Sequence, residues 1–233
     1  MNKKSAKTIL CIAIILLVII LIILLLPNIL KDKKGTLETG ILDVTKQENT
    51  YQLTINNKTY DITYKYSKVE NNNKPDSEIK TVTIYFGDTE ISGSKMMAYY
   101  KENGEEKIAK IKPIVYKGTD KEYLVFEIEN VFYLEDAGKT IIIINDEGKV
   151  LKKLSSKINI TELINCPQEY VGYGNSFIVN DKSIKFLEVN KDTVTKDIKE
   201  FEEYEITIDK DLVRRKRVAT YKAKTSGSLG KVW

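Results

Sequence analysis

The chain of 233 residues contains no histidine. That absence removes the commonest general base, the commonest metal ligand and the side chain that titrates near neutral pH. Ser-His-Asp and Cys-His catalysis and histidine-based zinc sites go with it. Cysteine is nearly absent as well, with only Cys11 and Cys166. Cys11 lies inside an apolar run, so Cys166 has no intramolecular partner and a disulfide scaffold is excluded. Arginine occurs at three positions only, Arg214, Arg215 and Arg217, all within one tetrapeptide. Strong helix signals are missing downstream of residue 30. No cofactor and no metal is expected.

Charge excludes one further class. The net charge is +4 and the isoelectric point about 8.7. Much of the excess sits at the front, where Lys3, Lys4 and Lys7 precede any acidic residue. The remainder is close to neutral, so nucleic acid is not an expected partner.

What is present begins with hydrophobicity. Residues 9–26 carry no polar side chain apart from Cys11. A helix of that run is about 27 Å long, close to the thickness of a bilayer core. A cleaved signal peptide has a shorter apolar region, about 7–15 residues, ending in small residues. This run ends LLLPNILKDKK and offers no such site. The expectation is a retained anchor. Residues 1–7 read as a short cytoplasmic tail, 8–30 as a transmembrane helix whose partner is the lipid bilayer, and 31–50 as a juxtamembrane linker. Residues 51–233 read as a β-rich extracytoplasmic domain. Lysines flank the run equally, so the orientation comes from the layout, a short tail before the helix and a large domain after it. The run has no small-xxx-small pattern and reads as a plain anchor at the cell membrane.

Beyond the linker, period-two alternation predicts strands joined by tight turns. Hairpins are expected over 51–66, 96–111, 141–154, 177–189 and 204–224, with turns near 57, 103, 147, 181 and 210. A single strand is expected over 79–86, and one long or two short strands over 123–134. A short helix from Lys95 to Glu102 is the alternative at the second hairpin. Other short helical pieces are expected over 160–165 and 194–201. The weak periodicity of 155–176 marks a break between lobes. The fold class is therefore mainly β: an N-terminal transmembrane helix followed by an antiparallel β-meander, closed as a barrel, a sandwich or an incomplete propeller-like sheet.

Three constellations bear on chemistry. Ser92-Gly93-Ser94-Lys95 fits S-x-x-K, Tyr173-Gly174-Asn175 fits Y-x-N, and residues 224–227 approximate K-T-G. In that order they resemble the serine β-lactamase and penicillin-binding family, which would make Ser92 a nucleophile and give roles to Lys95, Tyr173 and Lys224. The same spacing recurs from Ser77 to Lys80, and Ser226 breaks the last motif. Glu200, Glu202, Glu203 and Glu205 form a carboxylate cluster, which reads first as a solvated charged segment. Arg214, Arg215, Lys216 and Arg217 form the candidate binding residues for an anionic partner. On a strand, Arg215 and Arg217 face one way and Arg214 and Lys216 the other. A charged edge that blocks aggregation explains the same run. Tyr99, Tyr100, Tyr170 and Tyr173 are candidates to line a groove, or else half-buried strand positions.

The function expected is non-catalytic: a membrane-anchored binding, sensing or scaffolding domain partnering an envelope protein or wall polymer. The alternative is an envelope hydrolase or transpeptidase-like enzyme using carboxylates or a Ser/Lys pair. Oligomeric state is left open.

Overall fold

The computed structural model describes residues 40–70, 77–92, 96–129, 139–156, 159–160, 163–170, 172–173, 176–189 and 198–227. The run 8–30 lies outside them. Among the described residues no helix is long and apolar enough to cross a membrane.

The domain is mainly β, with every strand pairing antiparallel. The first sheet is built from β1 (Glu48–Ile55), β2 (Lys58–Val69), β3 (Glu78–Phe86), β4 (Thr89–Glu90), β5 (Met96–Glu102) and β6 (Glu105–Ile108). Its order is β1-β2-β3-β5-β6, with β4 on β3. The second holds β7 (Lys110–Lys117), β8 (Glu122–Glu129), β9 (Lys139–Ile144) and β10 (Val150–Ser156) in the order β10-β9-β8-β7. A small ladder follows from β11 (Asn159–Ile160) to β13 (Gly172–Tyr173). The third sheet holds β12 (Leu163–Ile164), β14 (Phe177–Val179), β15 (Ile184–Val189), β16 (Ile198–Asp209) and β17 (Leu212–Gly227). Its order is β12-β17-β16-β15-β14.

Turn chemistry fixes three of the hairpins. Asn56-Asn57, Asn103-Gly104 and Lys210-Asp211 all have positive φ at both positions, the geometry whose twist matches paired strands. Their strands close two residues apart, as in Ile55 against Lys58 and Asp209 against Leu212. Asn145 and Asn180 organise the longer turns. Each side-chain oxygen accepts two backbone N–H groups of its own turn.

The four isoleucines of β9 are all fully buried. Ile142 and Ile144 join Leu124, Phe126 and Ile128 of β8 in a core shared with the first sheet. Ile141 and Ile143 join Tyr123 and Val125 in a core shared with Phe186, Ile206 and Ile208 of the third. The middle sheet is therefore covered on both faces, which is why its central strands β8 and β9 read as nearly continuous apolar runs. Each such side chain contributes about 1.5–3 kcal/mol by leaving water.

The chain crosses from the first sheet to the second almost without interruption. The Ala109 N–H donates to the Ala98 carbonyl at 2.8 Å, and the Ile111 N–H donates to the Gly40 carbonyl at 2.7 Å. Ile41 bridges Lys110. The antiparallel sheets include a half-barrel, and Leu42 and Val44 are buried in the core shared by the first two sheets. Both residues come from the stretch 31–50 read as linker, of which the described part starts at residue 40.

At the second expected hairpin the strand reading holds over its helical alternative, and one helical expectation is corrected. Residues 96–102 are strand, paired with β3 and β6. Within 160–165, Ile160 pairs with Gly172 and Leu163 pairs with Ala223. Within 160–165 ladder pairing overrides a weak local pattern. Of 194–201, residues 198–201 are strand and the rest lies outside the described residues. The region 155–176 supplies Leu163 and Tyr170 to a third core, over Leu187 and Phe201 on the outer face of the third sheet.

Tyr64 is buried in the first core, and its hydroxyl has no hydrogen-bond partner. An unmet buried hydroxyl costs about 1–3 kcal/mol. Tyr64→Phe is expected to raise the unfolding free energy by about 1 kcal/mol, read as a higher urea midpoint. A lower midpoint would refute the account.

Candidate functional site

All four candidate binding residues lie on β17 and are exposed. The face assignment holds. Arg215 and Arg217 stand opposite Ile206 and Tyr204 in the ladder, and Arg214 and Lys216 stand opposite Thr207 and Glu205. The two faces differ in electrostatics. The Arg215 guanidinium donates to both oxygens of Glu188 at 2.8 and 2.9 Å and lies over the Tyr204 ring, 4.7 Å from its centre. Arg217 donates to Glu202, whose other oxygen accepts from the Tyr204 hydroxyl at 2.7 Å. The Tyr204 hydroxyl and Arg217 hold the Glu202 carboxyl below its ordinary range. Glu188 and Glu202 were invisible as partners in the sequence, because they depend on ladder register. Arg214 and Lys216 have no ion pair among the described residues.

Val218 marks a bulge, since Arg217 pairs with Tyr204 and Ala219 with Glu203. Beside it lies an open concavity of about 370 Å³, lined by Glu200, Glu202, Arg217, Val218, Ala219 and Thr220.

Alternation splits the carboxylate cluster. Glu202 serves Arg217, while Glu203 points to the other face and is buried. Its oxygens accept from the Tyr170 hydroxyl at 2.9 Å and the Tyr221 hydroxyl at 2.6 Å, and Lys185 approaches at 3.7 Å. Burial, reinforced by the Glu203 charge, drives the Tyr170 phenol far above its ordinary value. Cys166 packs beside this group, and burial pushes its thiol up, away from the reactive thiolate.

A second polar group joins turns from all three sheets. The Asn56 N–H donates to Glu122 Oε2 at 2.8 Å, and the Glu122 N–H donates to Asn56 Oδ1 at 2.8 Å. Lys121 sits 2.7 Å from Asp146 and 3.2 Å from Asp211. The Asn145 side chain donates to Asp211 at 2.7 Å, and the Asp211 N–H donates to the Tyr123 hydroxyl at 3.0 Å. Asp146 raises the Lys121 ammonium, and Lys121 in turn lowers Asp146. Both groups move away from neutrality, the reverse of what proton transfer requires. The arrangement braces the turns.

Ser92 is fully buried, and its hydroxyl accepts from the Ile84 N–H at 3.4 Å. Residues 93–95, with the lysine of S-x-x-K, lie outside the described residues, as do 174 and 175 of Y-x-N. Tyr173 lies on β13 and Lys224 on β17. Tyr99 is buried in the first core and Tyr170 in the third, and the Tyr100 hydroxyl donates to Glu102. Tyr99 and Tyr170 thus belong to different cores, and the side chain of Tyr173 lies outside the described ones. Among the described residues no group of three His, Cys, Asp or Glu side chains is placed to hold a metal.

Fold and site together define an all-antiparallel β domain with a cationic sheet edge. Comparison of the chain with protein-family models, with curated proteins and with solved structures finds no match.

Proposed function

We propose that this protein is a single-pass membrane protein whose extracytoplasmic β domain binds an anionic envelope protein or wall polymer without catalysing a reaction on it. The observation that supports the binding reading is the exposed cationic row on β17, in which Arg214 and Lys216 have no ion pair among the described residues. The anchor reading rests on the uninterrupted apolar residues 9–26. The enzyme alternative has less support. Its carboxylates alternate between two faces of a strand, and its serine hydroxyl is buried against backbone.

Protease added to intact cells is expected to remove the domain while the anchor stays with the membrane. Full protection in intact cells, with cleavage only after lysis, would overturn the orientation.

A further inference from the structure

The outer edge of β17 presents open backbone. On one side residues 212–222 of β17 pair with β16, interrupted by the bulge at Val218. On the other its partner is β12, which reaches only Ala223 and Lys222. Residues 212–221 therefore pair on one side only, among the described residues. Ten residues is long for an unprotected edge, which exposes a row of N–H and C=O groups to any extended chain.

The side chains along that edge select what can add to it. Arg215 and Arg217 are neutralised from within the sheet by Glu188 and Glu202. Arg214 and Lys216 are exposed and two residues apart on one face, with no ion pair among the described residues, Glu205 standing opposite Lys216 in the ladder without bonding to it. Leu212 and Val218 bracket the run at 52% and 42% exposure, among the most exposed large apolar side chains described. An edge serving only to repel other strands has no use for those two.

We propose that residues 212–221 receive an extended acidic polypeptide segment as an added β-strand. Main-chain hydrogen bonds to the open edge would provide affinity, and alternate carboxylates would meet Arg214 and Lys216 on one face. A second copy of this chain is the poorer occupant. Antiparallel self-pairing centred on the run sets its cations against one another, and like charges directly opposite destabilise a sheet. The inference rests on the anionic-partner reading above and adds to it the partner's chemistry and conformation.

The test uses the full chain in detergent micelles and a fluorescent ten-residue peptide alternating glutamate and valine. Two further peptides carry N-methyl groups on the odd or on the even amides. A strand uses alternate amides towards its neighbour, so one methylated peptide is expected to bind at least tenfold more weakly while the other binds like the parent. Arg214→Glu combined with Lys216→Glu is expected to weaken the parent peptide at least tenfold, with an unchanged circular dichroism spectrum. If that variant misfolds, the glutamine pair replaces it, and the methylated peptides need no variant. Equal binding by all three peptides would overturn strand addition. So would binding of polyphosphate without binding of the peptide, and either result leaves the anionic-partner reading standing. Binding of neither peptide nor polyphosphate would overturn both.

Discussion

Replacing Glu203 with alanine is expected to lower the unfolding free energy of the domain by about 3–5 kcal/mol. Glu203 is 2% exposed, yet it carries the acceptors for two phenols and faces Lys185. Hydrogen bonds to a charged acceptor are worth about 1.5–3 kcal/mol each. Truncation removes both and strands the Tyr170 hydroxyl in a site with no access to water. Lys185 is 35% exposed and can turn to solvent, so it adds little to the loss. Glu203→Gln keeps the shape and one acceptor oxygen, and should lose roughly half as much. Urea unfolding followed by circular dichroism reads both values. A loss below about 1 kcal/mol for alanine would mean that water already reaches the carboxylate. Tyr170→Phe and Tyr221→Phe, combined with Glu203→Gln, would then divide the coupling between the two phenols.

Raising the pH from 10 to 12 is expected to unfold the domain. Burial lifts the phenols of Tyr64, Tyr66, Tyr170 and Tyr221 far above their ordinary value near 10. The folded state therefore holds their protons more tightly than the unfolded chain does. This contribution is complete below pH 10 and is lost as pH rises, because only the unfolded chain releases the protons there. Each such phenol removes about 1.4 kcal/mol per pH unit. Tyr64 and Tyr170, the most deeply buried, together remove roughly 5 kcal/mol over two units, comparable with the whole stability of many domains. Tyrosinate absorbance and circular dichroism should change together in one step. Tyr170→Phe should reduce the slope of stability against pH by about 1.4 kcal/mol per unit. Gradual tyrosinate formation up to pH 12, with an unchanged dichroism spectrum, would show that these phenols are not sealed.

The hairpins were legible because alternation and turn residues agree. Asn56-Asn57 and Asn103-Gly104 tolerate positive φ and sit between alternating strands, so local chemistry and pairing point to one answer. Residues 141–144 announced a strand, but not that both of its faces are covered. That fact belongs to the stacking of two other sheets on it. The short strands within 159–164 were misread because two-residue pairings leave no period to detect. At the candidate site, the alternation of residues 214–217 was readable from strand geometry. The consequence that matters was not. Register brings Glu188 and Glu202 to the face of Arg215 and Arg217, and sets Lys216 opposite Glu205 and Arg214 opposite Thr207 on the other. The Glu203 site was hidden in a run of glutamates, because only the cover over that face distinguishes it from its neighbours.

The brace among the turns bears on how the chain folds. Asn56 finds Glu122 across 66 residues, and Asn145 finds Asp211 across another 66. Neither tie can form within one meander. Each costs loop-closure entropy before it returns any stabilisation, so the topology has high contact order and slow, millisecond-to-second folding. The same ties make partial unfolding expensive. Peeling off either outer sheet breaks charge-assisted hydrogen bonds held by the middle one, and the three sheets are thereby coupled into a single cooperative unit.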